Sequence, residues 1–154
     1  MAVIDIMELP ALLPRRSPVV GLDLGENTIG VAVSDFTRTI ASPLALIERR
    51  KFTIDVEALF KLMDGRGADG IVIGLPFNMD GTEGARCQSN RAFARHLLRL
   101  RDVPIAFWDE RLSTVAVNKM LIGEHDMTRG RRAEVVDKTA AAYILQGALD
   151  RLRA

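Results

Sequence analysis

The run GLDLGENTIGVAVSD, Gly21 to Asp35, constrains this chain more than any other. With Val19 and Val20 ahead of it, it reads as a strand, then a glycine and polar turn at Gly25 to Asn27, then a second strand, Ile29 to Val33, returning beside the first. The first strand carries Asp23 between Leu22 and Leu24. A carboxylate in that apolar setting is disfavoured unless a cation or hydrogen-bond donors compensate it. The acid is therefore a solvent-facing or turn-capping residue, or else part of a functional site.

The remaining pattern is that of an α/β chain. Residues 1–17 show no sustained period and contain Pro10 and Pro14, so they read as an extension with one short helical turn ahead of a domain spanning 18–154. Ile40 to Ile47 is a third extended run, and Pro43 within it suits a sheet edge. A helix from about Ile54 to Met63 follows, capped by Thr53 or Asp55, with Val56, Leu59, Phe60 and Met63 on one face and Gly65 and Gly67 at its end. The uninterrupted apolar run GIVIGL, Gly70 to Leu75, has the character of a parallel strand covered on both faces. The polar loop PFNMDGTEGARC leads into a helix over about Glu83 to Leu100, with Phe93, Leu97 and Leu100 inward.

Val103 to Trp108 repeats the strand design and ends in Asp109 and Glu110. Helical signals resume at Ser113 or Thr114 and run to about Ile122, and Gly123 to Arg132 reads as a loop. The final helix, about Glu134 to Arg151, sets Val136, Ala140, Ile144 and Ala148 on one side, with Asp137 in its first turn, where the helix dipole also favours an acid. Three hairpin-linked antiparallel strands followed by two helix-linked parallel ones make a five-stranded mixed sheet with helices on both faces.

A length of 154 residues fits one domain with a single core. Its 48% hydrophobic and 27% charged content is that of an ordinary globular protein. No apolar run approaches the roughly 20 residues that span a bilayer, and the amino end lacks the pattern of a secretory signal, so the expectation is a cytoplasmic protein with no membrane partner. Cys87, the single cysteine, cannot form an internal disulfide and has no zinc-ligand spacing around it, so it reads as a small core residue. The net charge of +1 gives no global sign of nucleic acid. A nucleic-acid partner would need local basic patches, and Arg15 with Arg16, Arg49 to Lys51, and Arg129, Arg131 and Arg132 supply candidates.

In open α/β sheets reactive groups collect at one edge, fed by strand ends and helix starts. Asp23, Glu110 and Asp137 can converge there. Three acids within a few ångströms repel, so a cluster makes sense only with divalent cations neutralising it, and oxygen ligands select Mg²⁺ or Mn²⁺. Two such ions can activate a water and stabilise the leaving oxygen of a phosphodiester.

In that order GLDLGENTIGVAVSD, IASPLALI, IVIGLPFNMDGTEG, WDERLST and DKTAAAYILQ resemble the successive signature blocks of the YqgF family, also called RuvX. The resemblance covers about Val19 to Asp150. It implies an RNase H-like fold and a metal-dependent nuclease acting on structured nucleic acid: maturation of the 5′ end of the 16S rRNA precursor, or resolution of branched DNA. It carries Asp23, Glu110 and Asp137 over as catalytic residues and ligands of Mg²⁺ or Mn²⁺, in a two-metal site. The sequence leaves open which of Asp109 and Glu110 faces the metal, since neighbouring strand residues point to opposite faces; the carry-over favours Glu110. Two departures are the 17 residues ahead of the first block and Ala85 where a proline is common.

Arg111, Asn78, Arg86, Arg129, Arg131 and Arg132 are candidate substrate contacts, with an ion pair inside the DER block a competing role for Arg111 and turn chemistry a competing role for Asn78. The protein reads as a monomer or weak homodimer. Two other classes compete: a nucleic-acid-binding factor without catalysis, and an actin-like or sugar-kinase ATPase, whose two lobes a chain of this length cannot supply.

Overall fold

The computed structural model describes residues 3–112 and 129–153, with the side chains of 129–138 outside that description. Its strands are β1 (Val3–Ile4), β2 (Val19–Leu24), β3 (Thr28–Ser34), β4 (Ala41–Glu48), β5 (Gly70–Leu75) and β6 (Ile105–Asp109), and its helices are α1 (Phe52–Arg66), α2 (Ala85–Leu100) and α3 (Arg129–Arg153). The strands form one sheet in the order β1-β6-β5-β2-β3-β4. β2, β3 and β4 are antiparallel, while β5 and β6 join β2 in parallel.

Central β2 and β5 are buried along their whole length, as a strand covered on both faces must be. Successive side chains alternate between two cores. Val20, Leu22 and Leu24 of β2 pack with Val56, Leu59 and Met63 of α1 and with Phe93 and Leu97 of α2. On the opposite face Val19, Val72, Ala106 and Trp108 pack with Ala140, Ala141, Ile144, Leu145 and Ala148 of α3. The small residues of α3 let it lie close: a Cβ on Gly21 of β2 would stand 2.6 Å from Leu145 Cβ and 3.2 Å from the Ala141 carbonyl oxygen. Cys87 is fully buried in α2.

β4 is an edge strand, and the pairing with β3 slips by one residue beside Pro43. Proline cannot donate to a ladder, which accounts for both features. α1 ends at Gly67 in the left-handed conformation, φ 67°, a geometry that glycine adopts without the penalty of a Cβ.

Leu100, expected to face inward, is 55% exposed, the N-cap of α1 is Lys51 rather than Thr53 or Asp55, and two larger features differ from the sequence expectation. The sheet has six strands and not five, because Val3 and Ile4 pair in parallel with Ile105 and Ala106. A 3-10 turn over Ile6–Leu12 follows, N-capped by Asp5, whose carboxylate accepts from the Met7 N–H at 2.9 Å, and it buries Leu9 completely. A strand of two residues has too little period to be read from sequence. The last helix begins at Arg129 rather than near Glu134, so Arg129, Arg131 and Arg132 belong to its backbone and not to a loop, and Asp137 lies beyond its first turn. The helix expected from Ser113 or Thr114 to Ile122 lies outside the described residues. No described helix is long and apolar enough to cross a membrane.

Candidate active site

The carboxyl end of β2 brings Asp23 into the fold's interior. Its neighbour in β3 is Gly30, and only 5% of Asp23 is exposed. Val20, Leu22 and Leu24 face α1 and α2, so alternation turns Val19, Gly21 and Asp23 toward α3. The register that pairs Leu22 with Ile73 sets Gly74 beside Asp23, and Gly74 pairs in turn with Trp108. One row, Asp23, Gly74, Trp108, therefore crosses three strands beneath α3.

Glu110 closes over this row. β6 ends at Asp109 and a 3-10 turn, Glu110–Leu112, folds back. A Cβ on Gly74 would meet Glu110 Cγ at 3.1 Å and Cδ at 3.2 Å, and Ile144 Cδ1 of α3 at 2.7 Å. The missing side chain at Gly74 is thus the space the glutamate stem occupies, and it brings Glu110 next to the strand residue that flanks Asp23. Trp108, also in the row, packs its indole against Gly147 of α3.

Asp109 points the other way. Its carboxylate accepts from Arg111 Nε at 3.1 Å, from NH2 at 2.7 Å and from the Arg111 backbone N–H at 2.9 Å. Burial alone would raise the Asp109 carboxyl; the hydrogen bonds and charge of Arg111 more than offset it and hold the group below its ordinary value. The Arg111 guanidinium also lies over the Phe77 ring, 5.3 Å from its centroid, and against Gly81. The two adjacent acids thus divide: Asp109 is bound up with Arg111 on one side of the strand, while Glu110 lies over Gly74 on the other.

α3 runs opposite to β2. Ala141 and Leu145 sit over Gly21, and further along Gln146 donates to the Thr39 carbonyl and accepts from the Ala41 N–H near the start of β4. Asp137 is in the α3 backbone, one turn before Ala141. Because α3 runs opposite to β2, its backbone at Asp137 lies toward the end of the sheet that carries Asp23. The side chains of Asp137, Arg129, Arg131 and Arg132 lie outside the described residues.

The loop after β5 is tightly bonded within itself. Asn78 donates its side-chain amide to Thr82 Oγ1 at 3.0 Å, its N–H bonds the Thr82 carbonyl, and Asp80 caps the Thr82 N–H at 2.9 Å. These bonds hold Asn78 within the turn. The hydroxyl and backbone N–H of Thr82 draw the Asp80 carboxyl below its ordinary range. Arg86, in the first turn of α2, donates to the Leu24 carbonyl at 3.2 Å, which places it at the same end of β2 as Asp23. Arg49 reaches the next carbonyl, Gly25, at 2.7 Å. In the sequence Arg49 is only part of a basic run. The hairpin register, which pairs Thr28 with Glu48, is the signal that brings it beside the β2–β3 turn.

Asp23 and Glu110 offer only carboxylate oxygens, the donor type suited to Mg²⁺ or Mn²⁺ and not to zinc. Among the described residues no three His, Cys, Asp or Glu side chains gather as a metal-ligand set.

The family model described as RuvX, Holliday junction resolvase, matches residues 17–151. A protein of Phenylobacterium zucineum named "Putative pre-16S rRNA nuclease" is 75% identical over 154 residues, covering 99% of each chain. A protein of the same name from Caulobacter vibrioides is 70% identical over the same span, again covering 99% of each chain. Among solved structures, Thermus thermophilus RuvC in complex with a Holliday junction substrate superimposes with a TM-score of 0.53 at 12% identity, over 90% of this chain and 96% of that one. The yeast mitochondrial Holliday junction resolvase gives 0.50 at 15% identity, over 96% and 85%. At these identities the structural likeness speaks to the fold alone.

Proposed function

The chain belongs to the RuvX family, and from that premise we propose that it is a divalent-metal-dependent nuclease maturing the 5′ end of the 16S rRNA precursor in the cytoplasm. The RNase H-like fold and the nuclease names of relatives at 70% identity and above support the reaction class and the RNA substrate. One observation carries the chemistry: Asp23 and Glu110 border the same glycine, on the sheet face that α3 crosses with Asp137.

In this reading Asp23, Glu110 and Asp137 hold Mg²⁺ or Mn²⁺, with residues 18–154 forming the nuclease unit. When bound, two such ions lower the pKa of an attacking water and neutralise the charge on the leaving oxygen. The chain contributes the rest. Burial of Asp23 at the strand end strengthens its electrostatic attraction to a cation. The Asp109–Arg111 pair fixes the 3-10 turn that carries Glu110, so the glutamate is held in position before substrate arrives. Arg86 and Arg111 would hold backbone phosphates of the RNA, with Arg129, Arg131 and Arg132 of α3 and Asn78 proposed as further substrate contacts.

Asp23→Asn removes one ligand charge with little change of shape. The expected result is loss of Mn²⁺- and Mg²⁺-dependent cutting of a precursor 16S rRNA 5′ segment. The wild type should gain thermal stability on adding Mn²⁺, and the variant should not. A variant that still cuts at the wild-type rate would refute the assignment. The family's description as Holliday junction resolvases supports a second reading, in which the same acids cut four-way DNA junctions. Cutting of junctions and not of precursor RNA by the wild type would select it.

A further inference from the structure

At the rim of the sheet, on the face opposite the acids, lies a cleft of about 70 Å³ lined by Leu24, Gly25, Glu26, Arg49, Arg86, Ser89 and Asn90. Two guanidinium groups from different elements converge on it. Arg49 follows β4 and Arg86 opens α2, and each is anchored by one hydrogen bond to a consecutive carbonyl of the β2–β3 turn, Gly25 at 2.7 Å and Leu24 at 3.2 Å. Arg49 is steadied further over the Phe93 ring, 5.7 Å from its centroid. Neither arginine is ion-paired among the described residues. A guanidinium has five N–H donors, so both keep donors in hand after these anchors. Asn90 donates to the Gly74 carbonyl at 2.9 Å and is buried, which fixes the floor.

We propose that this cleft seats a backbone phosphate of the substrate, one flanking the phosphate that is cut. The inference rests on the nuclease reading. The space holds a few waters, which suits a phosphodiester group and not a base. Asp23 and Leu24 are consecutive on one strand and face opposite ways, so a nucleic-acid strand crossing the rim meets the acids on one side and the arginines on the other. Glu26, on the lining, repels the same phosphate and limits its retention.

The test measures binding without cutting. A fluorescein-labelled RNA oligonucleotide spanning the mature 5′ end of 16S rRNA is titrated in EDTA, by anisotropy, across a salt series. Arg49→Gln and Arg86→Gln should each bind roughly tenfold more weakly, as expected when a hydrogen bond to a charged group is removed. Their plot of log K against log salt should be shallower by about 0.7 for each phosphate that is no longer neutralised. Ser89→Glu places an acid in the cleft from an exposed helix position while leaving both anchoring bonds, so it should weaken binding likewise even if an arginine variant fails to fold. Glu26→Gln should tighten it. Unchanged affinity and slope in folded Ser89→Glu and in the arginine variants would overturn the cleft while leaving the nuclease reading standing. Wild-type binding with these shifts but no cutting under Mn²⁺ would leave the cleft and sink the nuclease.

Discussion

Gly74→Ala separates the acid pair from the stability of the fold. The new methyl would stand 2.7 Å from Ile144 Cδ1 and 3.1 and 3.2 Å from Glu110 Cγ and Cδ. Against ordinary contact at 3.4 Å these are overlaps of about 0.7, 0.3 and 0.2 Å. The atoms in the way belong to side chains, so each yields by rotation and no backbone need move. Overpacking of a core costs roughly 1 to 3 kcal/mol, and yielding side-chain ends place this change in the lower half, about 1 to 2 kcal/mol. For a domain of this size that lowers Tm by about 2 to 8 °C. The glutamate responds differently, because a carboxylate pushed off its position by a fraction of an ångström loses alignment with the reacting phosphate. Misplacement of about 1 Å costs on the order of 100-fold in rate, so a fall in kcat of roughly 10- to 100-fold is expected with RNA binding in EDTA unchanged. Single-turnover cleavage under Mn²⁺, with a melt of the same preparation, measures both. Wild-type kcat in a variant whose Tm has fallen as expected would show that Glu110 does not act from above Gly74.

Gly21→Ala should do the reverse. Its methyl meets Leu145 Cβ at 2.6 Å and the Ala141 carbonyl oxygen at 3.2 Å, atoms that cannot move without α3. A loss of about 3 kcal/mol is expected in chemical denaturation, and a loss below about 1 kcal/mol would contradict the close seat of α3. Asp109→Asn tests the acid limb of stability. A carboxyl held below its ordinary 3.8 contributes stability above that pH, and the contribution is lost as pH falls through its lower folded value. The variant's stability should therefore be reduced at neutral pH and depend less on pH below about 4; parallel curves for the two proteins would refute the role given to Arg111.

The central architecture was legible because its signals are local. GIVIGL declares a strand buried on both faces, Pro43 declares an edge, and the glycine turn at Gly25 declares a hairpin. Asp23 stood out because its charge contradicts its neighbours. What stayed hidden depended on neighbours distant in sequence. Nothing about Gly74 in isolation shows that Glu110, 36 positions later, fills the space above it. The different surroundings of Asp109 and Glu110 depend on where β6 stops and the chain turns, a boundary that periodicity fixes poorly. Arg49 was hidden in a run of three basic residues until the β3–β4 register aligned it with the turn after β2. Val3 and Ile4 carry no legible strand signal, because two residues, followed by Pro10 and Pro14, show no alternation.

That short first strand has a consequence for how the molecule meets other chains. By occupying part of the outer flank of β6, it takes up amide and carbonyl groups that would otherwise invite a foreign strand to add on. The opposite rim is spoiled for the same purpose by Pro43 and the slipped register beside it. With one border partly occupied and the other irregular, the sheet is poorly suited to growing by strand addition.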